Sequence, residues 1–174
     1  SYVKIVKVDS ETGKQIPYAG AGFQIYNPKG ELVTMKYTYP TVTNIDTFYT
    51  NEEGCLITPE PLPYGKGYSI VEVQAPYGYI LDSTPVYFDI TAENTSEENG
   101  ITIVKTEKKN TPQKGTITVE KTGEIFSNVT SSGEEVVIYQ PEYSVSGLAN
   151  SVFEIYADED ITTPDGTVRV KKDT

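Results

Sequence analysis

Apolar and polar positions alternate with period two in a series of short runs, the signature of half-buried β-strands. Seven such runs span Tyr2 to Val8, about Ala21 to Tyr26, Leu32 to Thr38, Leu56 to Thr58, Tyr68 to Val73, Pro85 to Thr91 and Ile101 to Thr106. A Tyr/Thr-rich loop over 39–53 holds one further short piece around Ile45 to Tyr49. Turn residues separate the runs: Asp9-Ser-Glu-Thr-Gly13, Asn27-Pro28-Lys29-Gly30, Asn51-Glu-Glu-Gly54 and Pro76-Tyr-Gly78. Pro59, Pro61 and Pro63 bar a central strand and make a rigid connector. The acidic run from Glu93 to Asn99 reads as a solvated loop. Seven short strands punctuated this way predict an all-β sandwich.

Two charged residues fall on apolar strand faces. Glu72 shares a face with Tyr68 and Ile70, and Lys7 shares one with Val3 and Ile5. A buried, unpaired charge is expensive, so each is expected to be neutral or paired.

The pattern then restarts. Thr111-Pro-Gln-Lys-Gly115 has linker composition. Val3, Ile5 and Lys7 correspond to Ile117, Val119 and Lys121, and Gly22-Phe23-Gln-Ile25-Tyr26 returns as Val152-Phe153-Glu-Ile155-Tyr156. The Pro28-Lys-Gly30 turn has its counterpart in Pro164-Asp-Gly166. An insertion at 123–147, with a strand candidate at Val136–Tyr139, accounts for the larger offset of the later matches. Internal similarity of this kind indicates tandem modules: a complete sandwich over 1–112 and a partial second copy over 113–174. The unpaired edge of a partial copy predicts disorder beyond Gly115 or pairing with a neighbouring molecule.

Composition narrows the function. With 25 acidic against 14 basic side chains and a net charge of −11, the chain has no basic footprint for nucleic acid. No apolar run approaches membrane-spanning length. The absence of histidine removes Ser-His-Asp and Cys-His catalysis and the common zinc sets, and a single cysteine allows no intrachain disulfide. Cys55 is read as a small buried apolar residue. Acidic clusters such as Glu97-Glu98 lack calcium-loop spacing, so neither metal nor cofactor is expected. No leader precedes the first strand pattern, which reads as mature protein or as a piece of something longer.

Several motifs together resemble a known family. They are Lys7-Val-Asp9 with Thr12-Gly13, Gly20-Ala21-Gly22-Phe23-Gln-Ile25, Thr50-Asn-Glu-Glu-Gly54, Leu62-Pro-Tyr-Gly65 and Glu72-x-x-Ala75-Pro76-x-Gly78-Tyr79. The set is similar to the Cna B-type (SpaA-like, prealbumin-like) repeat, which builds stalks and pilins on Gram-positive bacterial surfaces. The resemblance implies a seven-stranded prealbumin-like, reverse-Ig sandwich followed by the front half of a second. It further implies a cell-wall-attached, extracellular location and neighbouring modules of the same surface protein as partners.

In that family a lysine on the first strand often joins an asparagine on the last through an isopeptide bond, assisted by a glutamate. Carried over by motif, these are Lys7, Asn110 in Asn110-Thr-Pro112, and Glu72. The residue chemistry suits the reaction. Burial favours a neutral, nucleophilic lysine amine, and a buried glutamic acid that keeps its proton can hydrogen-bond the asparagine carbonyl and shuttle protons. Ile101 and Ile103 are in odd phase while Asn110 is in phase with Thr102, Val104 and Thr106. Either a bulge shifts the register or the Thr/Val face points inward; Asn99 and Asn94 are the alternative acceptors. Lys121 matches Lys7 but has no Glu or Asn partner in the second copy.

The expected function is thus a structural stalk segment of an adhesin or pilus-like protein, self-crosslinked once rather than turning over as an enzyme. The alternative is a module that binds a host matrix protein or glycan through the Tyr-rich loop 37–49 or the insertion 123–147. Tyr26-Asn-Pro28-Lys29 faintly resembles a pilin motif whose lysine is joined to the next subunit, but it falls in a turn and is read as one.

Overall fold

The computed structural model describes residues 1–132 and 138–174, with side chains described outside 127–139. In chain order the strands are β1 (Tyr2–Asp9), β2 (Gly22–Tyr26), β3 (Met35–Tyr37), β4 (Thr43–Ile45), β5 (Phe48–Tyr49), β6 (Cys55–Ile57), β7 (Gly65–Gln74), β8 (Val86–Ile90), β9 (Thr95–Glu98) and β10 (Ile101–Asn110). They are followed by β11 (Thr122–Ser132), β12 (Ile138–Gly147), β13 (Ile161–Thr162) and β14 (Val168–Val170). No helix occurs among the described residues. The chain divides into two compact units, one of residues 1–113 with 157–173 and one of residues 114–156 with Thr174.

The first unit is a sandwich of two four-stranded sheets, ordered β6-β1-β10-β9 and β5-β2-β7-β8. Alternation supplies its core: Val3 and Ile5 from β1, Phe23 and Ile25 from β2, Tyr68 and Ile70 from β7, and Val104 from β10 are all buried in one cluster. The first and last strands of the sandwich run parallel side by side, from Tyr2 opposite Ile103 to Asp9 opposite Asn110, without a bulge. On β10, Val104, Thr106, Lys108 and Asn110 are buried and alternate with exposed Lys105, Glu107 and Lys109. The Thr/Val face therefore points inward, and no register shift is needed to bring Asn110 inside.

Three local expectations change. The acidic run holds an edge strand, β9, paired antiparallel with β10. Charged side chains are tolerated at a sheet edge, and Glu98 pairs with Lys4 of β1. The strand expected over Leu32 to Thr38 is limited to Met35–Tyr37, which forms a separate ribbon with β4. The short strand expected around Ile45 to Tyr49 is split between β4 and β5.

Residues 157–173 belong to the first unit. The β13–β14 hairpin turns at Pro164-Asp165-Gly166. Asp165 accepts hydrogen bonds from Thr12, Thr163 and Thr167. Arg169 reaches Asp9 at 3.0 Å and Glu11 at 3.5 Å.

In the second unit β11 and β12 form an antiparallel hairpin within the insertion, with a register shift between Phe126 and Asn128. Phe126 packs edge-on against Tyr143. Of the strand candidate Val136–Tyr139, residues 136 and 137 lie outside the described residues. Ile117, Val119 and Lys121 are exposed and precede β11, and Val152–Tyr156 is exposed and outside any strand. The segments of the first unit with the matching sequence pattern are held between two neighbours each, β1 by β6 and β10, β2 by β5 and β7.

Candidate functional site

Lys7, near the end of β1, is wholly buried. Its backbone N–H donates to Gly54 O at 2.9 Å, and its carbonyl accepts from Ile16 N. Gly54 has φ +80°, and a Cβ there would lie 1.7 Å from the Ile16 carbonyl oxygen. Only glycine lets the Asn51–Gly54 turn close over this part of β1.

Glu72 comes from β7, in the opposite sheet, where it pairs across the ladder with Phe23. One carboxylate oxygen, Oε2, lies 2.9 Å from Lys7 Nζ. The other, Oε1, accepts from Asn110 Nδ2 at 2.6 Å and from Asp82 N at 3.3 Å. Asn110 Nδ2 also donates to Ile80 O at 2.9 Å, and Lys7 Nζ donates to Lys108 O at 2.9 Å. The Phe23 ring lies 5.7 Å from Lys7 Nζ and supplies an apolar wall. All three side chains are 0–1% exposed. Lys7, Glu72 and Asn110 are thus brought together from three strands.

One detail differs from the sequence expectation. Glu72 faces the asparagine nitrogen rather than its carbonyl; Asn110 Oδ1 is buried with no hydrogen-bond partner among the described residues. The reason lies in the Ile80 carbonyl, an obligate acceptor that holds the amide with its nitrogen turned toward both oxygens.

The segment after Glu72 wraps round to this end of the sandwich. Tyr79 N donates to Pro76 O, Gly78 adopts φ +84°, and Ile80 N and Gln113 N bond to Thr111 O and Gly78 O. Tyr79 is buried and its hydroxyl donates to Asp9 Oδ2 at 2.8 Å. Asp9 Oδ1 in turn caps the N–H groups of Glu11 and Thr12. The Glu-x-x-Ala-Pro-x-Gly-Tyr block therefore carries the Glu72 carboxylate and, in Tyr79, a clasp on the turn that starts at Asp9; the Ile80 carbonyl follows the block directly.

Burial pulls the Lys7 ammonium down from its ordinary 10.5 to about 8, against the opposing pull of the Glu72 carboxylate and with a smaller contribution from nearby Lys108. Hydrogen bonds from Thr84, and then Lys108, hold Asp82 down at about 2. Burial drives the Tyr79 phenol well above its ordinary value, reinforced by its bond to Asp9. Burial opposes ionisation of Asp165, but its threonine hydrogen bonds outweigh that and keep its carboxyl well below the usual range.

Asn94 and Asn99 are exposed at turns; Asn94 binds Thr91 and the Asp89 carbonyl, and Asn99 has φ +52°. Lys121 lies exposed in the second unit. In the aromatic loop Phe48 packs into the core, whereas Tyr37, Tyr39 and Tyr49 are exposed. Cys55 is buried with Val6 and Val8. Sequence reasoning missed Lys108, Asp82 and Ile80; the inward phase of Lys108 with Asn110 was the one available signal.

The family model described as SpaA, prealbumin-like fold domain, matches residues 1–105, more than half of the chain. The chain belongs to this family. Lys7 and Glu72 lie inside the matched range of the SpaA prealbumin-like domain, and Asn110 lies just beyond it. No curated protein matches the chain. Among solved structures it is similar to a variant of BcpA, the major pilin subunit of Bacillus cereus, at 25% identity over 71% of this chain and 30% of that one, with a TM-score of 0.47. It is also similar to the pilus 2b backbone protein of group B streptococcus, at 23% identity over 64% of this chain and 40% of the other (TM-score 0.45). A third is the full-length major pilin SpaD of Corynebacterium diphtheriae, at 22% identity over 64% and 32% (TM-score 0.45). The chain spans well under half the length of each of these proteins.

Chemically, a carboxylate that touches an amine with one oxygen and an amide nitrogen with the other can relay a proton between them. Moving the proton from Lys7 Nζ to Glu72 converts a buried ion pair into a neutral amine and a neutral acid, both compatible with the apolar surroundings.

Proposed function

We propose that this chain is a structural segment of a Gram-positive cell-surface or pilus-like protein, and that its first sandwich is locked by an amide bond between Lys7 and Asn110. The observation that carries this reading is the bridging position of Glu72, 2.9 Å from Lys7 Nζ and 2.6 Å from Asn110 Nδ2.

In the reaction Glu72 first takes a proton from the Lys7 ammonium. The neutral amine attacks Asn110 Cγ, forming the new C–N bond. Glu72 then gives a proton to Nδ2 and recovers one from the attacking nitrogen as the Cγ–Nδ2 bond breaks. Ammonia leaves, and Glu72 ends protonated beside a neutral amide. Each chain reacts once, so this is self-modification rather than turnover.

The stalk role is supported by membership of the SpaA prealbumin-like family and by the mechanics of the bond. Since β1 and β10 are neighbours, tension entering at Ser1 and leaving past Asn110 would run through the amide and bypass residues 8–109. We read residues 113–174 as the front half of a second module, in which Lys121 is the counterpart of Lys7. A proteolytic digest tests the chemistry: a branched peptide joining the Lys7 and Asn110 segments is expected, and recovery of both as free peptides counts against it.

A second reading rests on the exposed aromatics Tyr37, Tyr39 and Tyr49, of which Tyr39 is 88% exposed. Exposed aromatic rings suit a glycan or host-protein contact. A glycan and matrix-protein array with no hits would remove it.

A further inference from the structure

Lys108 is a second lysine buried beside Lys7. The two are direct partners in the parallel β1–β10 ladder, and the Lys108 side chain is 4% exposed. Two ammonium groups side by side in a sandwich interior repel, and an apolar residue would fill the position at lower cost. What Lys108 does with its charge is specific. Its Nζ donates to Thr84 O at 2.9 Å and lies 3.3 Å from Asp82 Oδ2. It thereby ties the 80–84 segment to β10, and that segment supplies a backbone group to Glu72 and another to the Asn110 amide. Asp82 N donates to Glu72 Oε1, and Ile80 O accepts from Asn110 Nδ2. The Lys108 carbonyl meanwhile holds Lys7 Nζ.

We infer that Lys108 is a positioning residue for the Lys7–Asn110 reaction, clamping the 80–84 segment so that Glu72 and the Asn110 amide are held in reacting orientation. The inference rests on the crosslinking reading above. A clamp that only stabilised the fold would leave the pH dependence of the reaction unchanged; this one also sets the charge around Lys7. The charged groups facing Lys7 are Glu72 from β7, Lys108 from β10 and Asp82 from the 80–84 segment. Removing the Lys108 charge makes the Lys7 ammonium easier to keep, so the pair holds its single reactive proton to higher pH.

The test follows bond formation in newly made full chain. Protein synthesised cell-free in a short pulse is moved to buffers from pH 6 to 9.5, quenched in denaturant at intervals, and weighed intact. Lys108→Met is expected to react about tenfold more slowly at neutral pH, as for the loss of one charged hydrogen bond, with its alkaline limb moved upward. Asp82→Ala, which keeps the Lys108 charge but loosens the segment and removes a carboxylate that favours the Lys7 ammonium, is expected to slow with its limb moved downward instead. Lys108→Arg is expected to keep the wild-type limb, and it carries the comparison if the methionine variant does not fold. Wild-type rate and pH profile in folded Lys108→Met would overturn this inference alone. A wild-type chain that never loses mass would overturn it together with the reading beneath it.

Discussion

Lys7 Nζ lies 2.9 Å from Glu72 Oε2, and neither side chain has any exposure to solvent. The two residues come from opposite sheets, so the contact spans the sandwich core. A buried ion pair of this kind is a poor source of stability, because desolvation of both charges offsets their attraction. Its placement makes sense as a reactive arrangement, with Asn110 on the far side of the same carboxylate.

The pair gives a pH signature when the reaction is blocked. In Asn110→Ala the lysine stays free and buried, titrating near pH 8 in the folded chain against 10.5 unfolded. Between those values the unfolded state binds more protons, so stability rises with pH. The gain is about 1–2 kcal/mol between pH 8 and 9.5; at higher pH burial of Tyr68 and Tyr79, which keeps their protons on in the folded chain, reverses it. Urea midpoints at three pH values check this, and the crosslinked wild type is expected to lack the rise because an amide does not titrate.

Closing a loop of about 100 residues is expected to stabilise the sandwich by about 4.7 kcal/mol on chain-entropy grounds. Asn110→Ala should therefore melt about 20 °C below wild type, at ~4 °C or more per kcal/mol for a domain of this size. Calorimetry of the two proteins reads the difference directly.

Under mechanical load the distinction is sharper. Pulled from its first residue and from Gln113, the wild-type first unit should release no contour length from residues 8–109. Asn110→Ala should extend by about 350 Å on unfolding, at roughly 3.5 Å per residue. Single-molecule force spectroscopy separates the two outcomes.

At the neighbouring turn, Asp9 is fully buried and shares its Oδ2 between Tyr79 and Arg169. Arg169→Ala removes the cationic partner and should cost roughly 1–3 kcal/mol. It should also speed hydrogen exchange at the Glu11 and Thr12 amides, which Asp9 Oδ1 caps. Unchanged exchange would mean that the β13–β14 hairpin contributes nothing to the turn.

Much of the first unit was legible because its strands bury one face each. Period-two alternation places Val3, Ile5 and Lys7 on one side of β1 and Tyr68, Ile70 and Glu72 on one side of β7, and all six are buried. The phase conflict on β10 arose because Ile103 looked like the inward residue. Both Ile103 and Val104 are buried, and only the pairing with β1 shows that Asn110 follows Val104. Edge strand β9 escaped notice because solvent-facing carboxylates erase the hydrophobic signal. Ile80 was invisible for a different reason: it acts through a backbone carbonyl, which leaves no pattern in side-chain polarity, whereas Lys108 showed only through its shared phase with Asn110.

The most direct measurement is the intact mass of the purified chain. The wild type is expected to weigh about 17 Da less than its sequence, one ammonia lost, and Glu72→Ala to return to the full mass. A wild-type chain at the unmodified mass would contradict the account.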